Sequence, residues 1–125
     1  MTAILIVEDH KEFREAIKKF IIMKGVKADI LEAMTAEEAM GIASSHRPKV
    51  VIIDIHLTKG VSGLELASSI KAKDPSCSII LLTMYTNQDM KHLCKTKDVE
   101  DFIDKSDLDV RLVPAINRLL ALERA

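Results

Sequence analysis

The stretch Val50-Val51-Ile52-Ile53-Asp54-Ile55-His56-Leu57 decides the architecture. Four β-branched residues in a row run straight into an acid, with no alternation of apolar and polar positions. A strand with one face in water alternates, whereas a strand buried on both faces of a parallel sheet does not. The same texture recurs in Ala3–Val7 and Ile79–Leu82, and more weakly in Phe102-Ile103. Lys27 to Glu32, flanked by Val26 and carrying Ala28, Ile30 and Leu31, reads as an edge strand.

Helical patterns fill the intervals. Phe13, Ile17, Phe20 and Ile21 share one helix face, and Gly25 stands where a C-cap belongs. Thr35-Ala36-Glu37-Glu38 is a capping-box pattern that opens a helix with Ala39, Ile42 and Ala43 inward and Pro48 beyond its end. Ser62-Gly63-Leu64-Glu65 opens another, through Leu66 and Ile70 to a stop at Asp74-Pro75. Asn87 can cap a fourth, with Met90, Leu93 and Cys94. The last carries Leu112, Ile116, Leu119 and Leu120, and the interior cost of Pro114 favours a start near Val113 over one at Leu108. Strand and helix therefore alternate five times, the pattern of an α/β fold with a parallel sheet and right-handed crossovers.

Length and charge narrow the function. At 125 residues the chain has room for one good core, and its formal net charge of −1 gives no electrostatic footprint for nucleic acid or an anionic membrane. No apolar run approaches the roughly 18 residues of a membrane span. The apolar run Ala3–Val7 stops on Glu8-Asp9 and lacks a basic leader, so it does not read as a signal peptide. Cys77 and Cys94 lack metal or redox spacing and read as buried free thiols, which suits a reducing cytoplasm.

Ligands of open parallel sheets bind outside the carboxyl ends of the strands. Glu8 and Asp9 follow the first apolar run, Asp54 the second, Thr83 the third and Lys105 the fourth. Three carboxylates on one edge repel one another unless a cation or proton intervenes, and carboxylate oxygens suit Mg²⁺. An Asp can also act as a nucleophile toward a phosphoryl group, whose equatorial oxygens need the positive charge a metal and Lys105 would supply. Thr83 can donate a hydrogen bond to one of those oxygens.

The Glu8-Asp9 pair, Asp54 in Val51–Leu57, Thr83 in Leu81-Leu82-Thr83-Met84-Tyr85 and Lys105 in Phe102-Ile103-Asp104-Lys105 together resemble the receiver domain of two-component response regulators, over essentially the whole chain. The resemblance implies a flavodoxin-like (βα)₅ fold, a doubly wound parallel five-stranded sheet of order 2-1-3-4-5, with 1–125 as a single receiver domain. It implies a cytoplasmic switch, not a conventional enzyme, that takes a phosphoryl group onto Asp54 from a sensor histidine kinase or histidine phosphotransfer protein and slowly releases it. It further implies Mg²⁺ on Asp9, Asp54, Glu8 and the backbone carbonyl of His56, with Thr83 and Phe102 as the switch pair. The signal would pass to a downstream effector by remodelling of the face made by the fourth helix, fifth strand and fifth helix, through which a homodimer could also form. Direct nucleic-acid contact and membrane association are not expected of this domain. The Leu81–Tyr85 and Phe102–Ser106 stretches are similar to receivers of DNA-binding regulators with helix-turn-helix output.

Several positions depart from the family pattern. Thr58 stands where most relatives have Pro, in a loop to Gly60 that reads one residue longer. Met84 replaces a small residue and would restrict access to the acyl phosphate, and His56 and Tyr85 are placed to tune its chemistry. Ser106 follows Lys105 in place of Pro, so the bond between them should be trans. Val99-Glu100-Asp101 lacks the usual glycine before the last strand. His10, His46 and His92 read as surface residues. A nucleotide- or flavin-binding module would need a phosphate cradle where Glu8-Asp9-His10-Lys11 stands. An Asp-nucleophile phosphatase would carry a second Asp where His56 stands. A pseudo-receiver that binds protein without being phosphorylated is the remaining alternative.

Overall fold

The apolar runs form strands because they can bury side chains on both faces at once. The computed structural model describes residues 2–57, 61–84 and 98–122. Within them lie β1 (Ala3–Val7), β2 (Asp29–Ala33), β3 (Val50–Asp54), β4 (Ser78–Thr83) and β5 (Asp101–Asp104). All pair in parallel, in the order β2-β1-β3-β4-β5. Helices α1 (Lys11–Met23), α2 (Ala36–His46), α3 (Gly63–Lys73) and a C-terminal helix (Leu108–Leu120) cover the sheet. This is the expected doubly wound, flavodoxin-like topology. The fourth helix expected from Asn87, with Met90, His92, Leu93 and Cys94, lies outside the described residues.

Side chains alternate across the sheet with period two. Ile4, Ile6, Val50, Ile52, Ile80, Leu82 and Ile103 join a core under α1 and the C-terminal helix. Leu5, Val7, Val51, Ile53, Ile79 and Leu81 join a second core under α2 and α3. The unbroken Val50–Ile53 run thus serves both cores, each fully buried Ile or Leu contributing roughly 1.5–3 kcal/mol by removal from water.

Local signals set the helix ends. Gly25, at φ 78°, terminates α1 in a Schellman motif, with Gly25 N–H donating to Ile22 O (3.0 Å) and Val26 N–H to Ile21 O (3.2 Å). That motif consumes Val26, so β2 begins at Asp29, two residues later than the sequence pattern suggests. Thr35 caps α2 by accepting from Glu38 N–H, and Ser62 caps α3 by accepting from Glu65 N–H. Both α2 and α3 stop where Pro48 and Pro75 follow.

The C-terminal helix corrects one expectation. It begins at Leu108, and Pro114 lies inside it. Leu108 and Leu112 before the proline and Ala115 and Ile116 after it are all buried in one core, so packing offsets the lost backbone bond. The residue four back, whose carbonyl loses its usual donor to the proline, is Val110, 68% exposed on the solvent side of the helix.

Glu100 explains the missing glycine. Its carboxylate accepts from Ile79 N–H (2.7 Å) and pairs with Lys71 of α3, while its own N–H donates to Ile79 O (2.9 Å). The side chain completes the β4–β5 ladder where a glycine would leave only backbone.

Candidate functional site

Strand register carries the acids and the lysine to one edge. Glu8 extends β1, its N–H donating to Ala33 O (3.1 Å). Asp54 ends β3, and Ile55 N–H continues the ladder to Leu82 O (2.9 Å). The alternation Ile4, Ile6, Glu8 and Ile52, Asp54 and Ile103, Lys105 puts these three side chains on the α1 face of the sheet. Thr83 follows Ile79 and Leu81 onto the opposite face, where Phe102 packs against the second core. Thr83, buried, pairs with Asp104, and Phe102 with Leu81, one level back.

One carboxylate oxygen each from Glu8, Asp9 and Asp54 lie within 4.8 Å of one another. Lys105 Nζ bridges two of them, at 3.2 Å from Glu8 Oε1 and 3.3 Å from Asp54 Oδ2. The other oxygen of Asp54, Oδ1, accepts from His56 N–H (3.0 Å). Glu8 is 1% exposed, and its Oε2 accepts no hydrogen bond from the described residues. Burial, then the hydrogen bond and charge of Asp54, push the Glu8 carboxyl up to about 8, with Lys105 pulling the other way. Without a metal, a proton held on Glu8 relieves the repulsion among these acids; a divalent cation could take its place, and the buried Oε2 is an oxygen left for it. This oxygen-only donor set suits a hard divalent metal such as Mg²⁺.

Three supporting contacts were not legible as site features. Gly63 opens α3 directly on Asp54; its N–H donates to Ile55 O (3.1 Å), and a Cβ there would stand 2.2 Å from Asp54 O. Arg14 Nη1 donates to Glu8 O (2.9 Å) while Arg14 Nε donates to Glu32 Oε1 (3.0 Å), tying the end of β1 to β2. Lys105 Nζ also lies over the Phe13 ring, 4.4 Å from its centroid. The only sequence signals were a glycine at the first helical position and an aromatic on the core face of α1.

Lys105 opens a 3₁₀ turn (Lys105–Asp107) capped by Asp104, whose Oδ1 accepts from Ser106 N–H (2.9 Å) and Ser106 Oγ (3.0 Å). No cis peptide occurs among the described residues, so the Lys105–Ser106 bond is trans as expected. Met84 is 62% exposed directly after Thr83. His10 is exposed as expected and caps α1, its Nδ1 accepting from Phe13 N–H (3.3 Å). Tyr85 and the Thr58–Gly60 loop lie outside the described residues. Among the described residues no helix is long and apolar enough to cross a membrane.

The family model described as the response regulator receiver domain matches residues 4–117. A cyclic di-GMP phosphodiesterase of Thermotoga maritima is 34% identical over 102 residues, covering 82% of this chain and 26% of that protein. The transcriptional regulatory protein DegU of Brevibacillus brevis is 25% identical over 114 residues, covering 90% of this chain and 48% of that protein. The chain thus spans between a quarter and a half of the length of these relatives. The crystal structure of a LuxR-family two-component response regulator from Aurantimonas sp. SI85-9A1 superposes with a TM-score of 0.87 at 28% identity, covering all of this chain and 89% of that one.

Proposed function

Because this chain belongs to the response regulator receiver family, we propose that Asp54 is its phosphoacceptor and that Glu8, Asp9, Asp54 and the His56 carbonyl hold Mg²⁺. The donor is the phosphohistidine of a sensor histidine kinase or histidine phosphotransfer protein. An Asp54 carboxylate oxygen forms the new P–O bond as the P–N bond of the donor breaks, and the imidazole leaves with the bonding electrons. Mg²⁺, when bound, supplies charge to the phosphoryl oxygens and relieves repulsion among the carboxylates. Lys105 supplies a second positive charge from the α1 side, and His56 N–H orients Asp54 through Oδ1.

Thr83 and Phe102 share the other face of neighbouring strands. In this reading the Thr83 hydroxyl moves toward the phosphoryl group and Phe102 follows, so a local charge biases a two-state surface. The domain works as a switch, with its own transfer and slow hydrolysis of the acyl phosphate, in the cytoplasm. Its output passes to a downstream effector protein or domain through the face that includes β5 and the C-terminal helix, without nucleic-acid or membrane contact of its own. A homodimer through that face is part of the same proposal.

The observation that carries this reading is the convergence of Glu8, Asp9 and Asp54 with Lys105 bridging two of them. Incubation with acetyl phosphate, with and without Mg²⁺, followed by intact mass measurement, tests it. One added phosphoryl mass, dependent on Mg²⁺ and absent in Asp54→Asn, supports it. No gain in a folded protein would instead favour a pseudo-receiver that acts only by protein binding.

A further inference from the structure

We propose that Phe13 is a positioning residue for phosphoryl transfer: its ring holds the Lys105 ammonium over the site by a cation–π contact. The inference rests on the function proposed above. β5 and β3 are separated by β4, so Lys105 and Asp54 rise from strands roughly 10 Å apart and the lysine stem must lean across β4 to meet the carboxylate. The flexible four-carbon stem has many other poses to choose from, so something must favour this one. Its ionic partners, Glu8 and Asp54, belong to the reacting cluster itself. When a phosphoryl group is esterified to Asp54, the Lys105–Asp54 ion pair is replaced by contacts to phosphoryl oxygens, so that partner cannot hold the ammonium constant through the reaction.

Phe13 can. Its ring face attracts the ammonium without carrying charge, and so neither competes with the phosphoryl oxygens nor changes state when they arrive. Its backbone is fixed, because its N–H donates to the His10 cap at the start of α1. Its ring is only partly buried and packs against the core beneath α1, which places it on the face that Lys105 shares with Glu8 and Asp54. The neighbouring Arg14 donates to Glu8 O and Glu32, which ties the start of α1 to the ends of β1 and β2.

The test compares Phe13→Leu and Phe13→Tyr with the wild type. Ring currents should shift the Lys105 ε-methylene NMR signals upfield in the wild type and Phe13→Tyr, and not in Phe13→Leu. The rate of Asp54 phosphorylation by acetyl phosphate should fall about 3- to 30-fold in Phe13→Leu, the range a cation–π contact represents, and recover in Phe13→Tyr. Unshifted Lys105 signals in the wild type overturn the proposal. So does a Phe13→Leu rate equal to wild type, or a loss that Phe13→Tyr fails to restore, which would mean simple packing. A wild type that takes no phosphoryl group sinks the proposed function and this role together, whereas a reactive wild type matched by Phe13→Leu sinks this role alone.

Discussion

Gly63→Ala should loosen the phosphoacceptor strand from the helix that follows it. A Cβ at position 63 would meet Asp54 O at 2.2 Å, Ile55 Cα at 2.7 Å and Asp54 C at 2.9 Å, all of them backbone. Carbon contacts settle near 3.5–4 Å, so α3 must retreat by roughly 1 Å or more. The Gly63 N–H to Ile55 O bond, now 3.1 Å, would then pass beyond hydrogen-bonding distance. Overpacking costs about 1–3 kcal/mol and the lost bond about 1 kcal/mol. The helix propensity of Ala returns at most ~1 kcal/mol, less at a first helical position. The expected net loss is about 2–3 kcal/mol in urea denaturation, with the slope unchanged. Gly41→Ala is the control: it lies inside α2 with nothing within 4 Å of a Cβ, and should gain up to ~1 kcal/mol. A Gly63→Ala protein as stable as wild type, or a Gly41→Ala protein equally damaged, would refute the argument from close approach.

Glu8 makes the metal-free protein pH-sensitive. Its carboxyl is raised from 4.5 to about 8, so its contribution is fully present below pH 4.5 and is lost as pH rises toward 8. At about 1.4 kcal/mol per unit the loss is on the order of 3–5 kcal/mol; Glu8→Gln should flatten the profile, and an unchanged slope would remove Glu8 as its source. Added Mg²⁺ should stabilise more at pH 8 than at pH 5, because protons compete for the same oxygens. Glu100→Ala leaves Ile79 N–H without its side-chain acceptor and Lys71 without its carboxylate, though still donating to Cys77 O, and should cost about 2–4 kcal/mol in urea denaturation; a cost under about 0.5 kcal/mol, the range of an ordinary surface change, would deny the strut. Met84→Ala should shorten the half-life of the phosphorylated form, read by intact mass against time, and an unchanged half-life would deny Met84 a shielding role.

The fold was legible because the chain writes two cores into single strands. Val50–Ile53 has no polar position to spare, and that dictates a sheet covered on both faces. The ends of those runs brought Glu8, Asp9, Asp54 and Lys105 to one cluster without any knowledge of contacts, while Thr83 ends its strand on the other face. What escaped was what depends on neighbours distant in sequence. Pro114 looked like a helix start because propensity is local, while the packing of Leu108 and Leu112 that overrides it is not. Gly63 was one position of a capping box, and its closeness to Asp54 O exists only once α3 is seated. Phe13 looked like one more core residue, since nothing near it in sequence reveals that Lys105, from the far edge of the sheet, ends above its ring. Glu100 appeared as a missing glycine and proved to be a substitute for backbone pairing.

If Asp54 is the phosphoacceptor, it must itself become the acyl phosphate. Borohydride reduces an aspartyl phosphate to homoserine, so treating the phosphorylated protein with it and mapping the peptides marks the acceptor permanently. Homoserine is expected at position 54, formed only when Mg²⁺ and phosphodonor are both present. Homoserine at Asp9 or another acid, or none anywhere in protein shown to be folded, would contradict it.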